Sequence, residues 1–413
     1  MRPALHFTSP EGWINDPHGI TFRDGQYEAF YQYVPGATVW GPNCHWGHAV
    51  GPDLLSLRPV GVALAPGDGD DGIWTGCIVT GDDGRVRMFY TATTTPDFGI
   101  GRIRVAVPRD DAWSEWVKGG VVCEAPPELA LIAYRDPFVR RFAGGWEMFV
   151  GGASEDGTAM ALRYTSDDLE TWAYQGIALE RSTTETDPVW MGALWECPQI
   201  VDLDGRAVMV SSVWDADVLH HAGYATGAYR DGVFTPDGWG RLTHGDSYYA
   251  PSLFTDADGR PCLTFWMRGF GGAAEGWAGA HSVPYLLEVR GDRVVATPHP
   301  DVAQHRRPAS GDGRVTGLTA DVEWSPVDGA ELEVSSGDQR VVSVRASAGE
   351  LEIDIPGRAP SSLPVVGDVR MVIDGPVLEV SSAGGLYGAV VAPAGTSLAV
   401  VATGGTVAVF ALR

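Results

Sequence analysis

Before about residue 290, the apolar and polar positions fall into one unit that recurs five times. The copies read DPHGITFRDGQYEAFYQ from Asp16, TGCIVTGDDGRVRMFYTA from Thr75, DPFVRRFAGGWEMFVGG from Asp136, ECPQIVDLDGRAVMVSS from Glu196 and APSLFTDADGRPCLTFW from Ala250. Each is an apolar run, a polar turn ending in glycine, and a second apolar run. Asp-Gly or Gly-Gly between strand-like runs predicts a hairpin. The turn glycines, Gly25, Gly84, Gly145, Gly205 and Gly259, are 59, 61, 60 and 54 residues apart. No segment sustains a 3.6-residue apolar period. A repeat near 60 residues built of hairpins predicts an all-β chain with a five-bladed β-propeller over residues 1–290. Over residues 298–413 the texture changes to short alternating strands such as AELEVSSG, RVVSVRAS and VAVFALR, and only one tryptophan, Trp324, remains. That pattern predicts a small β-sandwich. It holds few candidate catalytic groups, so a structural role and a surface for homo-oligomer formation are its expected uses.

Nine residues before each turn glycine stands the first residue of the unit: Asp16, Thr75, Asp136, Glu196 and Ala250. A propeller would bring these equivalent positions together at its axis, and three of the five are carboxylates. Asp16, in Trp-Ile-Asn-Asp-Pro, is held extended by the following proline. Asp136 follows Arg135, a neighbour expected to keep it ionised, whereas Glu196 lies between Trp195 and Cys197, apolar flanks expected to raise its pKa. Two anions and one protonated acid are what glycoside cleavage requires. Nearly all of the 15 tryptophans precede residue 280. Trp40, Trp74 and Trp266 stand near the start of a unit or the end of its hairpin, where an aromatic face could stack on a sugar. The other tryptophans read as filling between blades.

Composition narrows the partners. With 53 acidic and 29 basic residues the formal charge is −24, which disfavours nucleic acid, anionic membrane surfaces and strongly anionic ligands. No run reaches the length of a membrane span. The N-terminal MRPALHFTSPEGW has no apolar core of signal-peptide length, so a cytoplasmic location is expected. The five scattered cysteines show neither metal spacing nor a disulfide framework. His45 and His48 in HWGH read as core histidines rather than metal ligands, Asp215, Asp217, His220 and His221 as a rim loop near the leaving group, and Cys197 as a packing residue. No metal and no organic cofactor is signalled.

The stretches His6 to Pro17 (HFTSPEGWINDP), Tyr134-Arg135-Asp136-Pro137 and Trp195-Glu196-Cys197-Pro198 resemble the three signature motifs of glycoside hydrolase family 32, the β-fructosidases. WGPNCHWGHAV from Trp40, Tyr249-Ala250-Pro251, GWAGAHSVP from Gly276 and RMVIDGPVLEV from Arg370 support the resemblance, which spans almost the whole chain. It implies Asp16 as nucleophile, Glu196 as general acid/base and Asp136 as transition-state stabiliser. Asn15, Gln32, Trp40, Trp74, Thr75, Arg135 and Trp266 would line the fructose subsite. The implied substrate is a small fructoside, sucrose or a short fructan, cleaved with retention and without a cofactor. Fructosyl transfer, hydrolysis of sucrose-6-phosphate and non-catalytic sugar binding are the alternatives.

Three positions depart from the family pattern. His18 replaces the usual asparagine after the first motif, and Thr75-Gly76-Cys77 replaces Ser-Gly-Ser. Thr243 stands where the family often carries an aspartate bearing on the sugar beyond fructose, with Asp246 as a nearby substitute. An altered leaving-group subsite is therefore expected.

Overall fold

Gly25, Gly84, Gly205 and Gly259 close their hairpins with φ between 73° and 81°, a left-handed backbone that glycine adopts without a steric penalty. A computed structural model describes all residues, 1–413. The five hairpins join Gly12–Arg23 to Gln26–Val34, Gly72–Thr80 to Val86–Thr93, Leu131–Phe142 to Gly145–Ser154, Leu194–Leu203 to Arg206–Asp215, and Tyr248–Thr255 to Pro261–Gly272. In the second, third and fourth units two further antiparallel strands complete a separate four-stranded sheet. The first and fifth units share one nine-stranded sheet, because Trp277–His281 pairs with Pro261–Gly272 and also runs parallel beside Gly12–Arg23. The first strands of the five units touch in cyclic order, the fifth returning to the first. Buried aromatic and aliphatic side chains fill the spaces between neighbouring sheets, as where Phe149, Trp195 and Met209 share one cluster.

After the single helix, Pro300–Gln304, the remainder is again strand. It forms a six-stranded sheet and six strands of a seven-stranded one, the seventh being Thr243–Gly245, and the two enclose one core of 25 buried residues, among them Trp324, Val342 and Leu378. No helix is long and apolar enough to cross a membrane.

The two ends of the chain are tied through one buried carboxylate. Asp374 accepts the backbone N–H groups of Ala4, Leu5 and His6 at 2.7–2.9 Å and the His6 ring nitrogen Nδ1 at 2.9 Å. Glu379 lies 3.6 Å from the other ring nitrogen and accepts the Tyr285 hydroxyl at 3.0 Å. Burial alone would lower the pKa of His6, but the charge of Glu379 and the hydrogen bonds to both carboxylates outweigh it and push the pKa up to about 9. A raised histidine pKa stabilises the fold fully below the ordinary value near 6.5 and ceases to do so as pH rises through about 9. Between those pH values the melting temperature of the wild type should fall more steeply than that of His6→Phe. Near pH 6.5 the variant should be less stable by about 3–5 kcal/mol, because two buried acids lose their cation. Melting curves from pH 6 to 10 check both statements.

Candidate active site

In all five units the first strand carries an irregularity at the same place. The pairing register shifts between Ile14 and Pro17, Trp74 and Gly76, Arg135 and Phe138, Glu196 and Gln199, and Tyr249 and Ser252. Proline is the local cause in four of them: Pro17, Pro137, Pro198 and Pro251 cannot donate to the ladder. In the second unit Gly76 takes this place, and a Cβ there would lie 1.9 Å from the carbonyl oxygen of Phe89. Asp136 (φ 66°), Cys197 (φ 53°) and Ala250 (φ 48°) adopt left-handed backbone within their bulges. The strained segments are tied from the neighbouring units or strands: Asp136 N–H donates to Thr91 Oγ1, and Ala250 N–H to Ser212 Oγ, both at 2.8 Å. Each bulge turns the unit's first residue, or the one before it, toward a common cavity.

That cavity has a volume of about 630 Å³, within the usual range for small-molecule sites. Its walls include Asn15, Asp16, Gln32, Trp40, Trp74, Arg135, Asp136, Glu196 and Trp266, so nine of the ten residues anticipated from the sequence line it. The tenth, Thr75, lies just behind and donates its hydroxyl to Asp16 Oδ2 at 2.5 Å. Asp16 also accepts Asn15 Nδ2 at 3.0 Å and Gln32 Nε2 at 3.2 Å, and Gln32 donates to Thr75 Oγ1 as well. The Cys197 thiol is 3.7 Å from both Asp16 and Asp136, and its backbone N–H donates to Asp136 Oδ2 at 2.9 Å. Glu196 accepts the Tyr249 hydroxyl at 2.6 Å and pairs with the Arg135 guanidinium at 3.0 Å.

These contacts change the expected charge distribution. Arg135 reaches across to pair with Glu196, and its charge offsets the burial of Asp136 only in part. Burial raises the Asp136 pKa to about 7; Arg135 opposes this, and the charges of Glu196 and Asp16 add to it. The expectation that Asp136 is simply held ionised by its neighbour is therefore corrected. Burial likewise raises Asp16 to about 6, with the Thr75 hydrogen bond opposing and the Glu196 charge reinforcing it. Glu196 has strongly polar partners, Tyr249 and Arg135, that its apolar flanks in sequence do not disclose.

Thr243 and Asp246 also differ from expectation. Thr243 is buried, accepts Ala222 N–H at 2.8 Å and pairs along the strand with Leu386, away from the cavity. Asp246 is largely exposed and faces Arg358 at 3.6 Å. A parallel pairing with Gly385–Val390 draws this segment onto the C-terminal sheet. The remaining wall of the cavity includes Phe98, Ile132, Trp214, Asp217 and Leu219 instead. Of these, sequence placed only Asp217 in a rim loop; Phe98 and Ile132 carry no local signal. Tyr249 had a usable one, since it precedes a unit's first residue as Asn15, Trp74 and Arg135 do.

Within HWGH, His48 is a buried histidine that bonds Glu28 at 2.7 Å and stacks on Phe30, whereas His45, read as a core residue, is only partly buried and bonds the Asn43 carbonyl at 3.1 Å. His18 is buried against Trp46, their ring centroids 3.8 Å apart, and burial pushes its pKa well down. Elsewhere, Asp256, Cys262 and His299 approach one another within 4.8 Å. Arg260 already occupies Asp256 there at 2.7 Å, so a cation would have to displace an existing ion pair.

Fold and site thus define an all-β protein with a tryptophan-walled cavity floored by carboxylates from three repeated units. The sequence profile of the Glycosyl hydrolases family 32 N-terminal domain matches residues 6–298. The chain belongs to glycosyl hydrolase family 32. It is 32% identical over 320 residues to a sucrose-6-phosphate hydrolase of Zymomonas mobilis, covering 72% of this chain and 61% of that one. It is 30% identical over 315 residues to a β-fructofuranosidase, insoluble isoenzyme 1, of Oryza sativa subsp. indica, covering 69% and 53% respectively. The chain therefore spans about half to two-thirds of the length of these curated relatives. A β-fructofuranosidase structure from Bombyx mori superposes with a TM-score of 0.85 at 24% identity, covering 100% of this chain and 94% of that one.

Proposed function

We propose that this chain is a retaining β-fructosidase that releases a terminal β-fructofuranosyl residue from sucrose or short fructans. The carrying observation is the meeting of Asp16, Asp136 and Glu196 on the walls of one cavity in a family 32 chain. On this reading the Asp16 carboxylate attacks the anomeric C2 while Glu196 protonates the departing glycosidic oxygen. Glu196 then takes a proton from water, which attacks C2 and frees Asp16. Tyr249 fixes the orientation of Glu196, and Thr75, Asn15 and Gln32 hold Asp16 in line. Arg135 Nε and Trp266 Nε1 are buried donors without a protein acceptor, as suits walls that meet sugar hydroxyls.

The architecture is part of the same proposal. The five units are read as blades of a propeller over residues 1–290, and the two C-terminal sheets as a sandwich over 298–413. Cyclic contact of the first strands and the separate C-terminal core support it.

The test is sugar release from sucrose, sucrose-6-phosphate, kestose, inulin and levan, by wild type and Glu196→Ala. Release of fructose that falls about 10²–10⁴-fold in the variant supports the reading. Full activity in Glu196→Ala, or no release from any substrate, would overturn it. Free fructose falling short of free glucose, with longer oligomers appearing, would assign transfer instead.

A further inference from the structure

Charge is concentrated on the floor of the cavity, and its rim is apolar. Trp40 and Ile132 are 44% and 47% exposed, and Phe98, Trp214 and Leu219 are half-buried around the same mouth. Trp40, Trp74 and Phe98 pack together with ring centroids 5.7–6.1 Å apart, forming one continuous aromatic wall. Asp217 is the one charged side chain among the rim residues. It occupies a tight turn between Arg206–Asp215 and Val218–Arg230, where Ala216 (φ 48°) and Asp217 (φ 61°) both have left-handed backbone. The following residues are pinned from behind: Arg268 donates to the carbonyls of Leu219 and His220 at 2.7 and 3.1 Å, with its guanidinium over the Tyr249 ring. The backbone leading on from Asp217 is thus held in place, and the exposed carboxylate stands at the mouth.

Cations are scarce here. Arg135 is the only basic residue lining the cavity; it is buried beside the floor carboxylates, and one of its nitrogens pairs with Glu196 at 3.0 Å. Four acids line the same space: Asp16, Asp136, Glu196 and Asp217. A phosphate dianion entering the mouth would meet an aromatic wall and like charge, with no guanidinium or ammonium among the rim residues to receive it. A neutral sugar would place its apolar C–H face on the wall and donate a hydroxyl to Asp217.

We infer that the outer half of this cavity selects an uncharged leaving group, with Asp217 as its hydroxyl acceptor, and rejects a phosphorylated one. The inference rests on the fructosidase reading and deepens it. It runs against the name carried by the relative from Zymomonas mobilis, a sucrose-6-phosphate hydrolase. The selecting residues sit in rim segments outside the three carboxylate motifs, so overall identity does not report on them.

The experiment is steady-state kinetics on sucrose and sucrose-6-phosphate with wild type and Asp217→Asn. Asparagine tolerates the left-handed turn, so the variant keeps the local backbone. Wild type should prefer sucrose by about 10²-fold in kcat/KM. Asp217→Asn should raise KM for sucrose about tenfold with little change in kcat, and should shrink the preference about tenfold. Equal or better turnover of sucrose-6-phosphate by wild type would overturn the inference, as would an unchanged preference in the variant. Fructose release from no fructoside at all would overturn the underlying reading, and the rim inference with it.

Discussion

Asp16→Asn is expected to abolish fructose release, lowering kcat on sucrose by about 10⁴-fold or more. The amide has nearly the shape of the carboxylate and keeps one acceptor oxygen for Gln32 and Thr75, so only the Asn15 hydrogen bond is lost and the fold is preserved. On the proposed mechanism, what disappears is the anion that attacks C2. The wild-type pH profile carries a linked signature. Burial raises Asp16 to about 6, opposed by the Thr75 hydrogen bond and reinforced by the charge of Glu196. The protonated acid cannot attack, so kcat/KM should fall as pH drops through about 6, well above the ordinary aspartate range. Stopped assays from pH 4 to 8, together with the stereochemistry of the released fructose, check both statements. Product of inverted configuration would remove Asp16 from the nucleophile role even if activity were lost.

Asp136→Asn should separate activity from stability. The carboxylate is buried, and its pKa of about 7 reflects burial first, opposed by Arg135 and increased by the charges of Glu196 and Asp16. The unfolded carboxyl titrates near 3.8, so the native state holds this proton more tightly. The favourable contribution is complete below pH 3.8 and is lost as pH rises through about 7. At pH 8 the folded protein therefore carries an ill-solvated charge that asparagine would remove. The variant should be more stable than wild type there by about 2–3 kcal/mol, and the two should converge near pH 4. Its kcat should nevertheless fall by about 10²–10³-fold if, as proposed, the anion stabilises charge that develops at the fructosyl ring. Thermal melts at pH 4 and pH 8 beside kinetics on sucrose decide it. A variant less stable than wild type at pH 8 would show that Asp136 is a structural anchor through its bond to Cys197 N–H.

Much of the site was legible because the repeat is local. A hairpin turn every 54–61 residues fixes a register, and counting nine residues back from each glycine finds Asp16, Thr75, Asp136, Glu196 and Ala250. The proline after four bulges was equally visible, although its consequence, a left-handed kink that turns side chains inward, appears only when the strand is paired. The failures share a cause. Arg135 lies beside Asp136 in sequence but pairs with Glu196. Thr243 matches a leaving-group position by resemblance, yet it pairs beside the strand Gly385–Val390, more than 140 residues later.

By itself, then, the sequence determined the strands, their hairpin partners, the repeated unit and the identity of the carboxylates. All of these depend on short-range alternation, turn chemistry and residue type, which survive without knowledge of distant neighbours. Only the tertiary structure decided which acid receives Arg135 and Tyr249, how far Asp16 and Asp136 are driven from their ordinary pKa values, and that Asp217 rather than Thr243 faces the cavity mouth. Those outcomes depend on charges and donors brought within a few ångströms of one another from separate units. In a buried, weakly screened space such neighbours outweigh anything adjacent in the chain.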